Sequence, residues 1–383
     1  MELLFVFSVA ALYYIYDGYL RLLQVLRLAF KYSNNPKPII ERKLPSVTVL
    51  LTVFNEAAVI VERLQNILSS DYPPHLLEVL VASDGSTDET EDLVRQFGEK
   101  QIRLFRPAAR EGKTGTQNQA IPMARGEIIL FTDAGTRFDK NFIKNVVSPF
   151  QDSAVGAVDG RLLLVSDPES GVSQNQSRYW RYELRLRELE SHLGILAVAS
   201  GACLAVRREL LKPMDPAYGE DCMVPLDVAS QGYRVVHHAK ALATDLLDND
   251  PEKEFRTRVR MTLRNWQGTW SRRHLLNPVR SPGLAFALWS HKILRWMSPL
   301  FLILLFISAT VLALEGNGFF QACVGLLAIL GVAGLLGRQA ERHRFVLPGT
   351  STIYSFLLAN AGFFIGLWKS LSGHKVTLYR HKT

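Results

Sequence analysis

The sequence predicts an α/β domain with a mostly parallel sheet, joined to α-helical transmembrane segments. Short β-rich runs alternate with helical patterns, which is typical of a doubly wound parallel sheet. These runs are nearly continuously apolar, as in strands covered by helices on both faces. An apolar stretch near each end of the chain is long enough to cross a bilayer. The predicted strands are 46–53, 77–82, 101–105 and 127–132, and the predicted helices are 57–68, 87–97, 115–124 and 141–150.

The composition supports a membrane-associated protein. Of the 383 residues, 48% are hydrophobic, and the mean hydropathy is +0.07, which is too apolar for a disordered chain and unusual for a wholly soluble one. Lys and Arg outnumber Asp and Glu by 44 to 36, and the excess lies beside apolar segments, which favours a membrane face over nucleic acid. The three cysteines show neither metal-binding nor disulfide-framework spacing, so we expect a reducing compartment.

The N-terminal apolar run, 3–20, predicts a retained anchor. It contains no Lys or Arg before Arg21, whereas a secretory signal begins with a basic segment and ends at a cleavage site of small residues. Arg21, Arg27 and Lys31 follow the run, so the positive-inside rule places the N-terminus outside and the following domain in the cytosol. A core helix of a soluble protein is the alternative.

The C-terminal part predicts two spanning helices, 297–314 and 319–336, joined by a short turn. A basic helix or helix pair at 252–274 and an aromatic-and-basic segment at 281–295 precede them, and the second of these suits a lipid headgroup region. The segment 345–368 contains Pro348 and Asn360, and if it crossed, the basic tail would lie outside; we therefore expect an interfacial or re-entrant course.

These patterns divide the chain into five parts. The part between the strands and the basic helix, 154–245, indicates mixed strand and helix, with a long charged helix at 174–192. The expected parts are an anchor at 1–32, the α/β domain at 45–250, basic and amphipathic interface helices at 251–296, a transmembrane region at 297–368 and a basic cytosolic tail at 369–383.

Three acidic residues follow apolar runs. Asp84, Asp88 and Asp133 stand where parallel strands end, the edge at which such sheets bind ligands. That setting suits a nucleotide or a cation that bridges phosphates, although each residue alone is as well explained as a helix cap. Gly112-Lys113 suggests a phosphate loop, but Pro107 stands where the Walker pattern needs Gly, which argues against an NTPase. A surface lysine is the other interpretation of Lys113.

Together these motifs resemble family 2 glycosyltransferases of the GT-A fold. The resemblance covers about residues 45–275. The apolar C-terminal part of the chain resembles the membrane region of the branch that includes poly-N-acetylglucosamine, hyaluronan and cellulose synthases. The matching motifs are Thr52-Val53-Phe54-Asn55-Glu56, Ser83-Asp84-Gly85-Ser86-Thr87-Asp88, Gly112-Lys113, Phe131-Thr132-Asp133-Ala134 and Gly219-Glu220-Asp221.

The resemblance implies roles for these residues in binding a UDP-sugar. Glu56 and Asp84 would contact the uridine end, Val53 and Phe54 would line the base pocket, and Lys113 would lie near the nucleotide. Asp133 would bind Mg²⁺ or Mn²⁺, which neutralises charge on the departing diphosphate. Glu220 and Asp221 would be the catalytic residues. Asp221 would act as the general base that deprotonates the acceptor hydroxyl in an inverting transfer.

Two positions depart from the family pattern. Gly135 replaces the second carboxylate of the Asp-x-Asp motif, so metal binding would depend on Asp133, the diphosphate, water and a downstream ligand such as His237 or His238; a structural role for these histidines is the alternative. The Gln-x-x-Arg-Trp motif of processive synthases has its counterpart at 257–261 or at Arg260 and Arg264, without the Gln and with the Trp displaced.

The basic helix and a small-residue strand complete the expected site. Arg260 and Arg264 recur at helical spacing and would clamp phosphate, or else form a basic face against anionic lipid. The resemblance implies that Gly201, Ala202 and Trp266 bind the acceptor, although close strand packing explains the two small residues nearly as well. Aromatic residues of the charged helix suit stacking on sugars or a place in the core: Tyr179, Trp180 and Tyr182.

The resemblance therefore implies a multi-pass enzyme of a bacterial-type inner membrane with a cytosolic catalytic domain. It would transfer a sugar from a nucleotide sugar to a growing cell-surface glycan or exopolysaccharide, with a homo-oligomer or a partner synthase protein possible and no nucleic-acid partner. Single addition to a lipid-linked acceptor is the alternative within this class. From other classes, a catalytically inactive nucleotide-binding regulator is favoured only by Gly135, and the failed Walker pattern argues against an ATP-driven transporter.

Overall fold

A computed structural model shows the arrangement of the chain. It describes residues 1–29, 44–98, 100–165, 171–247, 250–343 and 347–374. Lys31 and most of the expected cytosolic tail lie outside the described residues. Within them, eight strands form one mixed sheet in the order β3-β2-β1-β4-β7-β6-β8-β5. The strands are β1 (Val47–Val53), β2 (Leu77–Ser83), β3 (Ile102–Phe105), β4 (Ile128–Thr132), β5 (Arg137–Phe138), β6 (Val155–Val165), β7 (Leu204–Arg207) and β8 (Arg234–Leu246).

The four predicted strands form the parallel half of this sheet. β1 pairs in parallel with both β2 and β4, and β2 pairs in parallel with β3. Alternate residues of one strand pack into cores on opposite faces: Leu51 lies in one cluster and Leu50 in the other, both fully buried. This explains the continuous apolar runs. In the other half, β7 runs antiparallel to β4 and β6, while β6 and β8 are parallel. The α/β prediction is confirmed as a mixed sheet.

Helices cover both faces of the sheet and continue into the apolar ends. The predicted long charged helix is one continuous helix, Gly171–His192. The basic segment also forms one helix, Pro251–Ser271, and not a helix pair. Those around the sheet are α3 (Ile60–Leu68), α4 (Thr90–Gln96), α5 (Gly112–Ala120), α6 (Phe142–Val147), α7 (Gly171–His192), α8 (Glu220–Ser230) and α9 (Pro251–Ser271). Those of the apolar ends are α1 (Glu2–Tyr13), α2 (Tyr19–Ala29), α10 (Pro282–Ala287), α11 (Leu294–Trp296), α12 (Ser298–Leu314), α13 (Gly318–His343) and α14 (Thr350–Leu371).

Single-turn π-helices occur at two places in the apolar parts. Tyr14–Gly18 joins α1 to α2 in one 28-residue helix, and Leu288–Ile293 joins α10 to α11. The two π turns contact each other, because the Tyr14 hydroxyl lies 2.8 Å from the Ser290 hydroxyl. They belong to the contact between the N-terminal helix and the segment that leads into α12. Such π turns recur at functional places in proteins.

Three helices in the described residues are long and apolar enough to cross a membrane: Glu2–Ala29, Gly318–His343 and Thr350–Leu371. A fourth span is possible if Pro282–Trp296 and Ser298–Leu314, which meet at a bend of 57°, count as one. The sequence predicts the same N-terminal span and the span that becomes α13. The predicted helix 297–314 begins at Ser298 and reaches spanning length only with its bent partner.

Most of the segment 345–368 belongs to α14, one unbroken helix of 22 residues that Pro348 precedes. The expected interfacial or re-entrant course of this segment stays a prediction. The polar Asn360 is accommodated inside the protein, because its side-chain oxygen accepts hydrogen bonds from Ser298 and Tyr16 at 2.6 and 3.2 Å. Whether α14 crosses the bilayer or lies at its surface stays a prediction.

The basic helix α9 packs tightly on α14. Gly362 and Gly366 allow this close approach, since a Cβ at either position would lie 2.7 Å from Arg258 or from Thr262 on α9. Asp250 caps α9 by accepting a hydrogen bond from the Glu252 amide at 2.8 Å. One face of α9 is therefore fixed against an apolar helix, and the other contributes side chains to a cavity above the sheet.

Candidate functional site

A cavity of about 740 Å³ opens at the carboxyl ends of β1, β2 and β4 and extends to α7, α9 and α14. It has a strand end, formed by Phe54, Asp84, Lys113 and Asp133, and a membrane end, formed by Tyr179, Glu183, Leu288, Lys292, Trp296 and Phe363. Thirteen residues are expected from the sequence to bind the donor or acceptor or to act in catalysis, and twelve of them line this cavity: Val53, Phe54, Glu56, Asp84, Lys113, Asp133, Gly201, Ala202, Glu220, Asp221, Arg260 and Arg264. The thirteenth, Trp266, does not.

Asp84 joins the end of β2 to the start of α5. Its buried carboxylate accepts hydrogen bonds from the amides of Glu111 and Gly112 at 2.9 and 3.0 Å, and from the Thr116 hydroxyl at 2.8 Å. One carboxylate oxygen thus binds the first amides of the helix that carries Lys113, where a negative charge is favourable. Asp84 is both a helix cap and a residue of the cavity wall, so the two sequence interpretations are compatible.

Phe54 and Arg110 form a platform at the strand end. The Arg110 guanidinium carbon lies 3.8 Å from the centre of the Phe54 ring, and its Nε lies 3.4 Å from the second oxygen of Asp84. A flat cation stacked on an aromatic ring offers a planar surface for a base. Sequence reasoning missed Arg110, although a cation two residues before Gly112-Lys113 was a visible signal.

Lys113 bridges two acidic residues of the site. Its ammonium lies 2.6 Å from Asp133 and 2.6 Å from Glu220. Burial alone would lower the pKa of Lys113, but the two carboxylates outweigh it and raise that pKa, so the ammonium stays charged. Lys113 therefore belongs to the site and is not simply a surface lysine.

A buried arginine holds the loop that carries Asp133. Arg63 of α3 donates to the Asp133 carbonyl at 3.2 Å and to the Thr132 hydroxyl at 2.7 Å, and it stacks over Phe138. Burial lowers the pKa of Arg63 to about 9, so it is still charged at neutral pH. This support fixes the backbone on both sides of the Asp133 carboxylate.

Glu220 and Asp221 begin α8 at the centre of the cavity. Glu220 is buried and faces Gly201, where an added Cβ would lie only 2.5 Å from its carboxylate. Burial and the neighbouring Glu220 raise the pKa of Asp221, while Arg264 and Lys113 oppose that rise. A carboxylate with a raised pKa is a stronger proton acceptor, which suits a general base.

Arg260 and Arg264 both face the cavity, as their helical spacing predicts. Arg264 donates to the Ala217 carbonyl at 3.2 Å and to the Thr114 hydroxyl at 3.4 Å, which holds it beside α5 and α8. Trp266 turns away: its ring packs against Trp270 and Trp296 at centroid distances of 6.1 and 6.0 Å. Trp296 lines the cavity and Trp266 does not, and the acceptor contact of Trp266 stays a prediction.

Three other expected residues lie outside the cavity lining. Asp88 is exposed, and its carboxylate accepts hydrogen bonds from the amides of Thr90 and Ala57 at 3.0 and 3.1 Å, which is the helix-cap alternative. His237 hydrogen-bonds to Asp159 of the neighbouring strand β6 at 2.9 Å. His238 does not line the cavity either, and burial lowers its pKa to about 4. The structural alternative therefore holds for these histidines.

The membrane end contains a buried charge network that sequence reasoning missed. Glu183 of α7 contacts Lys292 at 2.9 Å, His291 at 2.9 Å and Arg295 at 3.2 Å, all from the segment that leads into α12. Burial alone would raise the pKa of Glu183, but these neighbours, His291 foremost, hold it well below its usual range. Tyr179 and Trp180 line the cavity beside this network, whereas Tyr182 does not.

The carboxylate oxygens of the cavity fit a divalent ion only if oxygens of a bound phosphate complete the set of metal ligands. In the described ranges no group of three His, Cys, Asp or Glu side chains is placed to hold a metal. Asp133 provides one hard oxygen donor, and Glu56 and Asp245 line the same cavity. Burial and then the Asp133 charge raise the pKa of Glu56, which shows that negative charge concentrates here. Carboxylates and phosphate oxygens are the donors that Mg²⁺ and Mn²⁺ prefer.

Comparisons with known proteins agree with this geometry. A family model described as glycosyltransferase like family 2 matches residues 45–268, which is more than half of the chain. A β-monoglucosyldiacylglycerol synthase of Nostoc is 28% identical over 49% of this chain and 41% of its own length. A poly-β-1,6-N-acetyl-D-glucosamine synthase of Staphylococcus aureus is 25% identical over 60% of this chain and 57% of its own length. The chain thus spans about half of the length of these curated relatives.

A solved structure has the same fold over nearly the whole chain. It is the mannosyltransferase PcManGT of Pyrobaculum calidifontis in complex with GDP-Man and Mn²⁺, with a TM-score of 0.72 and 23% identity over 96% of this chain and 99% of that one. The likeness therefore includes the helices of the apolar ends as well as the sheet. The chain belongs to the glycosyltransferase like family 2 and has the GT-A fold.

Proposed function

We propose that this protein transfers a sugar from a nucleotide sugar, UDP-linked, to an acceptor held at the membrane surface, with inversion at the anomeric carbon. The observation that carries the proposal is the cavity itself, which joins an acidic and basic strand end to an apolar membrane end. A polar donor and an amphipathic acceptor would meet at Asp221, between the two ends. The catalytic domain would face the cytosol, where nucleotide sugars are made.

The donor would occupy the strand end. The Phe54–Arg110 platform would receive the base, and Glu56 and Asp84 would accept hydrogen bonds from the nucleoside. Lys113, Arg260 and Arg264 would bind the diphosphate, where their charges offset its own. A divalent ion held by Asp133 and the diphosphate would neutralise the charge that develops on the leaving nucleotide.

Asp221 would remove the proton from the acceptor hydroxyl as that hydroxyl attacks the anomeric carbon. Its raised pKa makes the carboxylate a better base than that of an exposed aspartate. Lys113 forms an ion pair with Glu220 and so holds Glu220 beside Asp221. Attack from the face opposite the nucleotide would give a β-linked product from an α-linked donor. Burial of the site would exclude water and so limit hydrolysis of the donor.

The membrane end favours an acceptor with an apolar part. Leu288, Trp296 and Phe363 come from helices of the apolar ends and line this part of the cavity beside Tyr179. A glycolipid or lipid-linked sugar would place its apolar part there and its hydroxyl at Asp221. Elongation of a polysaccharide is the second candidate, which the Staphylococcus aureus relative supports.

The test is donor turnover with the purified protein in nanodiscs. UDP- and GDP-sugars are offered with Mn²⁺ or Mg²⁺, with and without a neutral diacylglycerol acceptor, and nucleotide release is followed beside the Asp221→Asn variant. We expect release with one donor that requires acceptor lipid and Asp221. Release that yields long polymers without added lipid would favour the second candidate, and no release with any donor would refute the proposal.

A further inference from the structure

Gly135 stands two residues after Asp133, where the family pattern has a second carboxylate. A Cβ built on Gly135 would lie 2.9 Å from one carboxylate oxygen of Asp245 and 3.6 Å from the other. Real Cβ atoms essentially never approach an atom that closely. The carboxylate of Asp245 therefore fills the space that a side chain at position 135 would occupy.

Asp245 reaches this place through the topology of the sheet. It lies near the end of β8, whose residue Thr244 is opposite Arg137 of the short strand β5. The loop that carries Asp133 and Gly135 leads directly into β5, so the pairing of β5 with β8 brings Asp245 beside it. A residue more than a hundred positions away in the chain is thus a neighbour of the altered motif.

Two hydrogen bonds orient the Asp245 carboxylate and leave it able to accept more. The Thr136 hydroxyl donates to one oxygen at 3.0 Å, and the Leu246 amide donates to the other at 2.8 Å. Each carboxylate oxygen has two lone-pair directions, so each can accept a further contact. In the part of the chain that the structure describes, no Lys or Arg is paired with Asp245 as Lys113 is with Asp133.

We propose that Asp245 supplies the second carboxylate of the metal site, in place of the residue that Gly135 lacks. The inference rests on the proposed function, since the ion would be held by Asp133, Asp245 and the donor diphosphate. Relocation of the carboxylate from the loop to β8 accounts for two observations together. One is the small residue at 135, and the other is the half-buried carboxylate that takes its space.

The test measures Mn²⁺ binding directly, by the loss of the free Mn²⁺ signal in electron paramagnetic resonance, with UDP or GDP present. We expect Asp245→Asn to weaken Mn²⁺ binding by about tenfold or more, as Asp133→Asn does, because each removes an anionic ligand. Asp139→Asn is the matched control: it removes a charge just after β5, but the Asp139 side chain is exposed and accepts a hydrogen bond only from the Asn141 amide in the described contacts. Nucleotide binding in EDTA should be the same in all of these variants.

Two further variants separate a ligand from a nearby charge. In Asp245→Cys, we expect the preference to change from Mn²⁺ towards Cd²⁺, since a thiolate favours the softer ion and a purely electrostatic role gives no such change. In the double variant Gly135→Asp with Asp245→Gly, the carboxylate returns to the loop, and Mn²⁺ binding should recover to within a few fold of the wild type. Thermal unfolding of each variant shows whether it is folded.

Mn²⁺ binding by Asp245→Asn equal to that of the wild type would overturn the inference and leave the proposed function standing. The inference would also fail if Asp245→Cys showed no change of preference towards Cd²⁺ and the double variant did not recover Mn²⁺ binding. If the wild type with either nucleotide bound no Mn²⁺, both the metal-dependent part of the proposed function and this inference would fail.

Discussion

The strand end and the membrane end of the cavity differ in how their residues come together. At the strand end, most of the acidic and basic residues follow an apolar strand directly or begin the next helix, and Asp84 and Asp133 are typical. At the membrane end, Glu183 contacts His291 and Lys292, which lie more than a hundred positions later in the chain. The first arrangement is local to strand ends and the second depends on packing between helices. Changes at the strand end should therefore affect chemistry, and changes at the membrane end should affect stability first.

The largest effect is expected at the centre of the cavity. Asp221→Asn should lower kcat by about 10²- to 10⁴-fold, because the amide cannot take the acceptor proton. Nucleotide affinity should stay within a few fold, since the proposed donor contacts lie elsewhere. Nucleotide release and equilibrium binding, measured on the same preparation, check both parts. Unchanged turnover would show that another group is the base.

The charge network of the membrane end should affect stability strongly. Glu183→Gln leaves the partly buried Lys292 and the buried Arg295 without the carboxylate that they contact, and it removes one of the two acidic partners of Arg187, which should cost about 3–5 kcal/mol of unfolding free energy. Glu188→Gln is the matched control on the same helix: its partner Arg185 is at the surface, and such pairs contribute about 0–1 kcal/mol. Denaturant unfolding in detergent compares the two. Equal stability of these variants would contradict the distinction between the two ends.

Asp84 should affect both stability and nucleotide binding at the strand end. Asp84→Ala leaves the amides of Glu111 and Gly112 without their acceptor, at a cost of about 1–3 kcal/mol. Asp84→Asn keeps an acceptor oxygen and should cost less. Thermal unfolding measures the effect on stability, and the affinity for UDP measures the effect on nucleotide binding. A stable Asp84→Ala protein with normal affinity would show that the start of α5 does not need this cap.

The smallest effect is a change in pH dependence. Burial raises the pKa of Asp221, so activity that needs its carboxylate should fall, as pH decreases, at a higher pH than for an exposed aspartate. The Lys113 charge opposes that rise, so Lys113→Gln should move the acidic limb to higher pH. The pH profile of kcat/KM shows in which direction the acidic limb moves. A shift to lower pH would contradict the assignment of Asp221 as the base.

Sequence reasoning found much of the strand end and little of the membrane end. Asp84, Lys113, Asp133 and Asp221 follow from strand ends and motif order, and all line the cavity. Asp245 ends a strand in the same way, but the sequence did not define the end of β8 or its partner. Glu183 lies in a helix with many charges, and nothing in the pattern distinguishes it from Glu188 of the same helix, which is only partly buried.

The sequence by itself determined the alternating α/β domain, the apolar ends and the edge of the sheet where the site lies, because hydrophobic periodicity and strand ends are local properties. Only the tertiary structure decided that β8 brings Asp245 beside Gly135, that α14 packs on α9 without a break, and that Glu183 binds residues of the segment before α12. These contacts join distant parts of the chain, and their formation depends on packing and on the pairing of buried charges, which spacing along a sequence does not specify.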